Sequence, residues 1–152
     1  MQLNNDLSEF IALLNSGKVE YLVVGAFAVA WHGHPRFTSD IDLWVRSSDA
    51  NAVAIVDVLD RFGFGSLGIE PEDLVRPDQV LQLGVKPNRI DVITSISGVE
   101  FNEAWAHRVP GTIDGIPVSY ISREDLIRNK DASGRPKDLG DAAALRDRKP
   151  AD

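Results

Sequence analysis

With 152 residues and 43% apolar composition the chain can bury one ordinary core and is too short for two, and the absence of cysteine excludes disulfides, thiolate nucleophiles and cysteine-bound metal centres. A formal charge of -7 excludes general affinity for long duplex DNA, which depends on cations that displace phosphate counterions. With no run of about eighteen apolar residues and a polar start lacking the regions of a signal peptide, the chain is expected to be cytoplasmic and to have no membrane partner.

In chain order, residues 3–14 place Leu7, Phe10, Ile11 and Leu14 at helical spacing, with Gly17 as the stop, and predict an amphipathic helix. Residues 21–24 form a short β-branched run that breaks at Gly25, and small and apolar residues then continue to Gly33: strand, glycine turn, helix. Residues 40–45 alternate, so Ile41, Leu43 and Val45 share one face of a second strand and Asp40, Asp42 and Trp44 the other. Residues 47–62 predict a helix capped by Ser48 or Asp49, striped by Ala52, Val53, Val56 and Leu59 and ended by Gly63.

After a loop to about Asp78, the runs 80–85 and 89–94 flank Lys86-Pro87-Asn88 as an antiparallel hairpin, with Asp91 in its second strand. Asp114-Gly115 signals a turn into a strand over 116–121, where Pro117 predicts a sheet edge. Ser122-Arg123-Glu124-Asp125 resembles a capping box that opens a helix to about Lys130, and Pro136 opens a last helix to about Arg146 that buries Leu139, Ala142, Ala143 and Leu145. The pattern predicts one α/β (α+β) domain over 1–146. It consists of an N-terminal helix over 1–16, a mixed sheet with flanking helices over 20–121, and a short helical appendage over 122–146, followed by a disordered tail over 147–152.

Eight of the sixteen Lys and Arg residues fall between Arg123 and Lys149 (Arg123, Arg128, Lys130, Arg135, Lys137, Arg146, Arg148, Lys149), against six acids there. A locally positive end on an acidic chain suits a small anion held near it. Asp40 and Asp42 project from one strand face with Cβ atoms roughly 6–7 Å apart. Two carboxylates about 5 Å apart repel by ~3 kcal/mol at an effective dielectric near 20. A divalent cation with oxygen ligands offsets that repulsion, and Asp91 from another strand allows a second cation. Gly25 lies where backbone N–H groups at a strand-to-helix turn can cradle phosphate.

A hydrophobic strand ending in Gly, a short helix, Asp-x-Asp on the next strand and a single Asp on a later one resembles the DNA polymerase β-like nucleotidyltransferase superfamily. Within it, Val24-Gly25-Ala26-Phe27-Ala28-Val29-Ala30-Trp31-His32-Gly33, Arg36-Phe37-Thr38-Ser39-Asp40-Ile41-Asp42-Leu43 and Lys130-x4-Arg135-Pro136-Lys137-Asp138-x2-Asp141 are similar to small stand-alone nucleotidyltransferases of the abortive-infection and toxin–antitoxin types. The resemblance implies metal ligation and catalysis by Asp40, Asp42 and Asp91. It also implies triphosphate contacts from Gly25, Ala26, Arg36 and Lys130. Ala26 departs from the Ser or Gly usual after that glycine, so the loop has only backbone donors there.

The activity implied is transfer of a nucleoside monophosphate from a triphosphate such as ATP to an acceptor hydroxyl, with release of pyrophosphate. Two Mg²⁺ ions, or Mn²⁺, would serve as cofactor. An RNA 3′ end, a protein side chain and a small molecule all fit as acceptor; in the family resembled a separate partner or domain often completes the acceptor site, so the resemblance leaves room for a toxin–antitoxin or oligomer partner. The alternative is a catalytically inert nucleotide-binding or antitoxin-like regulatory partner. His32 and His34 read as ligands, bases or packing residues. Trp31, Trp44 and Trp105 read as base-stacking or space-filling, Trp44 foremost because it shares the carboxylate face. Asp138 and Asp141 read as partners of nearby bases or as acceptors of a substrate proton.

Overall fold

A computed structural model of the chain describes residues 5–35, 40–84 and 89–147. Helix α1 (Asn5–Ser16) is followed by β1 (Tyr21–Val24), α2 (Gly25–Trp31), β2 (Ile41–Val45) and α3 (Asp49–Phe62). Two 3-10 turns, Gly65–Leu67 and Pro71–Leu74, lead to β3 (Val80–Leu83) and β4 (Ile90–Ile93). Helix α4 (Phe101–Ala106), the hairpin of β5 (Val109–Ile113) and β6 (Ile116–Tyr120), α5 (Arg123–Ser133) and α6 (Pro136–Arg146) complete the order. The six strands form one mixed sheet, β3-β4-β2-β1-β6-β5. Pairs β1·β2, β3·β4 and β5·β6 are antiparallel, while β2·β4 and β1·β6 are parallel. This is the mixed sheet flanked by helices expected from the sequence, and it is compatible with an α+β nucleotidyltransferase fold. The turn at 86–88 and all of the tail except Asp147 lie outside the described residues.

The apolar pattern explains the layers. Leu7, Phe10, Ile11 and Leu14 of α1 are all buried, as are Ile41, Leu43 and Val45 of β2. Ser48 caps α3 by accepting the Asn51 N–H, and Gly63 ends it in the left-handed region. The buried stripe of α3 differs from the expected one: Ala52, Ile55, Val58 and Leu59 face inward, Val53 is exposed and Val56 only partly covered. Asn51 sets that rotation. Its side chain accepts the Glu20 N–H and donates to the carbonyls of Glu20 and Arg46, tying α3 to the ends of β1 and β2.

Two further expectations are corrected. Strand β6 is internal rather than an edge, and Pro117 is tolerated because β1 pairs with β6 only at Tyr120. Beside Pro117, the Asn15 side chain donates to its carbonyl in place of a strand. In α6, Leu139 and Ala143 are exposed, whereas Asp138, Asp141, Ala142 and Leu145 are buried. Lys130 of α5 accounts for this, because its ammonium draws both carboxylates inward.

Helix α4 and strand β5 carry no clear signal in the sequence. The first has six residues and no side-chain cap. The second contains Pro110 and Gly111 and survives as the outermost strand, where a missing N–H is harmless. Asp114 and Gly115 both have positive φ (52° and 79°), the backbone of a two-residue type I′ turn.

Candidate functional site

The register of the central strands aligns Val24, Asp42, Asp91 and Gln82 in one row across β1, β2, β4 and β3. Registered residues share a sheet face, so the Asp42 and Asp91 carboxylates stand side by side. Burial, with the Asp91 carboxylate beside it, pushes Asp42 up to about 6, while the Lys130 ammonium acts in the opposite sense. Arg89, two residues before Asp91 on the same strand face, places its guanidinium on that carboxylate: Nη2 donates to Oδ2 at 3.2 Å, and Nε lies 2.9 Å from Oδ1. The second contact is an ion pair off the N–H direction, so Asp91 Oδ1 is buried without a hydrogen bond. Asp40 precedes β2, and its Oδ1 accepts the Arg89 N–H at 3.2 Å.

Gly25 follows β1 and opens α2 directly beside this pair, with φ +67°, and a Cβ built on it would stand 2.1 Å from Asp42 Oδ2. Both the backbone conformation and the approach of the carboxylate therefore require glycine. Ala26 is half-buried in the first turn of α2, a helix with no side-chain cap bond. Arg36 lies outside the described residues.

Lys130 is buried, contrary to the ordinary expectation for a helical lysine. Its Nζ lies 3.1 Å from Asp138 Oδ1 and 3.5 Å from Asp141 Oδ2. Asp138 also accepts from Ser133 Oγ at 2.5 Å and Arg135 Nε at 2.8 Å. Burial alone would raise the Asp138 carboxyl, but these donors and the Lys130 charge outweigh it and hold the group down to about 2. Asp138 is thus an ionised partner of the bases. Helices α5 and α6 and the loop after β4 close a cleft of about 330 Å³ over Asp42, with Gly25 on one side and Lys130, Ser133 and Arg135 on the other.

The loop is held there by Asn129 Nδ2 donating to the Ser97 carbonyl, and Gly98 is packed so closely that a Cβ would meet Ala132 at 2.5 Å. Arg89, Ser133 and this loop are parts of the site that no sequence motif marks. Arg89 alone carried a signal, since alternation in Arg89-Ile90-Asp91 puts its side chain on the Asp91 face.

The histidines separate into two environments. His32 is buried 2.7 Å from the Ile121 carbonyl, and burial lowers its basicity, so it is a neutral ring donating Nε2–H to the backbone. His34 Nε2 lies 4.0 Å from Asp141 Oδ1, at the far side of the Lys130 cluster. The tryptophans are mainly packing groups. Trp44 is 2% exposed and meets Phe101 edge-on, which leaves no face for a base. Trp31 stacks on Tyr120, and Trp105 on Phe101.

Among the described residues no three His, Asp or Glu side chains stand close enough to enclose one metal ion. The Asp42 and Asp91 pair nonetheless has the chemistry for a cation with oxygen ligands: two adjacent carboxylates, one with an orphaned buried oxygen, and mutual repulsion that a cation relieves. Asp40 stands at the entry to β2 with its Oδ1 engaged by the Arg89 N–H. No described helix is long and apolar enough to cross a membrane.

No curated protein matches the chain at a significant level. A family profile described as "Nucleotidyltransferase of unknown function (DUF6036)" matches residues 1–146, almost the entire chain. The glycine turn, the adjacent carboxylates and the basic cleft wall accord with that match, and the chain belongs to this nucleotidyltransferase family.

Proposed function

We propose that the protein transfers a nucleoside monophosphate from a nucleoside triphosphate, such as ATP, to an acceptor hydroxyl, using divalent cations held by Asp42 and Asp91 with Asp40 as the third ligand. The observation that carries this reading is the side-by-side register of Asp42 and Asp91 beneath the close approach of Gly25. In the transfer the acceptor oxygen bonds to the α-phosphorus, the bridge to the β-phosphate breaks and pyrophosphate leaves. When bound, Mg²⁺ or Mn²⁺ supplies charge neutralisation and Lewis acidity at the phosphates. The chain's own residues bind and orient. Gly25 lets the triphosphate approach the backbone, and Lys130, fixed by Asp138 and Asp141, offers an ammonium from the opposite wall.

The test is incubation with each α-labelled triphosphate, Mg²⁺ and total cellular RNA or lysate. Label transferred with pyrophosphate release supports the reading; no transfer with any triphosphate or acceptor pool refutes it. A second reading, an inert nucleotide-binding regulatory partner, draws on Ala26 and on Arg89, whose guanidinium already neutralises Asp91. In that case nucleotide binds, but no cation titrates the carboxylates.

A further inference from the structure

Arg89 touches both carboxylates that flank Asp42 in the proposed cation site. Its N–H donates to Asp40 Oδ1 at 3.2 Å and its carbonyl accepts the Ile41 N–H at 3.1 Å, so its main chain is fixed to the start of β2. Its side chain lies on Asp91, with Nη2 at 3.2 Å from Oδ2 and Nε at 2.9 Å from Oδ1. Both oxygens through which Asp91 would hold a divalent cation therefore already carry a positive charge, one that persists at every physiological pH. Asp42 lines the cleft of about 330 Å³, whereas neither Asp91 nor Arg89 is among the described residues that do.

The pairing is incomplete. A guanidinium and a carboxylate can form a fork of two parallel N–H···O bonds. Here only one is made, and Arg89 Nε and Asp91 Oδ1 are both buried without a hydrogen bond. A phosphate group is a better partner, because it accepts the fork through two oxygens and carries at least as much charge as one carboxylate. Without such an anion, displacing the guanidinium would strand a charge whose side chain is only 23% exposed. A cation arriving alone meets that resistance, and a cation arriving with a triphosphate does not. Only the side chain has to move. Adjacent strands lie about 4.8 Å apart, so a ligand held between Asp42 and Asp91 is within the sweep of a side chain rooted two residues away.

We infer that Arg89 is a resident cation that exchanges partners: the divalent cation takes its place on Asp91, and the guanidinium passes to the phosphates of the incoming nucleotide. The inference rests on the nucleotidyl-transfer reading and supplies a control on it, since the carboxylate pair takes its cation readily only together with a triphosphate. It also adds a phosphate contact from the β4 side of the site, in addition to Lys130 on α5.

The test is calorimetric titration of Mn²⁺ alone, and separately of Mg²⁺·ATP, into wild type and Arg89→Met, which keeps an unbranched side chain without the charge. The variant should bind Mn²⁺ about 10-fold more tightly and Mg²⁺·ATP about 10-fold more weakly. The opposite signs matter, because a merely structural arginine would lower both affinities or neither. Mn²⁺ affinity that is unchanged or weaker in the variant overturns the inference. A rise for Mn²⁺ with Mg²⁺·ATP unchanged also overturns it, since the guanidinium would then compete without changing partner. A thermal melt checks the variant, and a measurement on wild type stands apart from its folding. The Arg89 Nε–H resonance, assigned by its loss in Arg89→Lys, should shift with Mg²⁺·ATP and stay in place with AMP; no shift with Mg²⁺·ATP overturns the exchange. Any of these failures in a wild type that binds both ligands leaves the transfer reading standing. A wild type that binds neither Mn²⁺ nor Mg²⁺·ATP brings that reading down as well.

Discussion

Asp42 and Asp91 are register partners on adjacent parallel strands, so that two half-buried carboxylates leave the same face of the sheet side by side. Asp42 is thereby raised from 3.8 to about 6. A native pKa above the unfolded value means that the native state holds the proton more tightly. The resulting stabilisation is fully present below about pH 4 and is lost as pH rises through about 6. The metal-free protein should therefore lose on the order of 1–3 kcal/mol over that window. Asp42→Asn removes this dependence and melts higher than wild type at pH 7, as thermal denaturation against pH will show. Unchanged pH dependence in the variant would remove Asp42 from the pair.

The Asp138 carboxyl gives the opposite limb. Held down to about 2 by Ser133, Lys130 and Arg135 against its burial, it contributes stability that is present above its unfolded pKa and lost as pH falls from about 4 through 2. Asp138→Asn should flatten that acid limb and leave the Asp42-linked loss of stability between pH 4 and 6 in place.

Gly25 and Gly134 have the same φ, +67°, but different surroundings: a Cβ on Gly25 meets Asp42 Oδ2 at 2.1 Å, and one on Gly134 meets nothing within 4 Å. Gly134→Ala should cost only the backbone strain, ~1–2 kcal/mol. Gly25→Ala should cost clearly more and displace Asp42. Urea denaturation of both measures the difference, and equal losses would show that Asp42 yields freely.

The sequence disclosed the central strands because their residues alternate, and it disclosed the carboxylate set because Asp-x-Asp on a strand forces two like charges onto one face. Other features have tertiary causes. Gly111 in β5 exists because the Trp31 and Tyr120 rings lie within 2.7 Å of where its Cβ would be, and in the bare sequence Pro110-Gly111 resembles a strand breaker. The rotation of α3 follows from Asn51 bonding to the ends of β1 and β2, and that of α6 from Lys130 on the preceding helix. Helical periodicity cannot anticipate a buried ammonium. The positive charge of the C-terminal segment was legible, whereas its folding over Asp42 required the structure.

Lys130 is consequently a poor match to a solvated helical residue. Lys130→Ala leaves Asp138 and Asp141 without their shared cation, and breaking such a buried pair costs on the order of 3–5 kcal/mol. In whatever fraction remains folded, triphosphate affinity should fall by about 10-fold to 100-fold and monophosphate affinity much less. Parallel titration with both nucleotides, alongside a melt, separates the two effects. Equal losses for both nucleotides would leave Lys130 a purely structural residue.

The most direct test of the carboxylate pair as a cation site is calorimetric titration of Mn²⁺ into wild type, Asp42→Asn and Asp91→Asn at pH 7.5. Removing a group that merely supports a metal ligand costs about 10–100-fold in affinity, so removing a ligand itself should cost at least about 100-fold. The account predicts saturable binding to wild type and a loss of that size in both variants. Equal affinity for all three proteins, or no saturable binding to wild type, would contradict it.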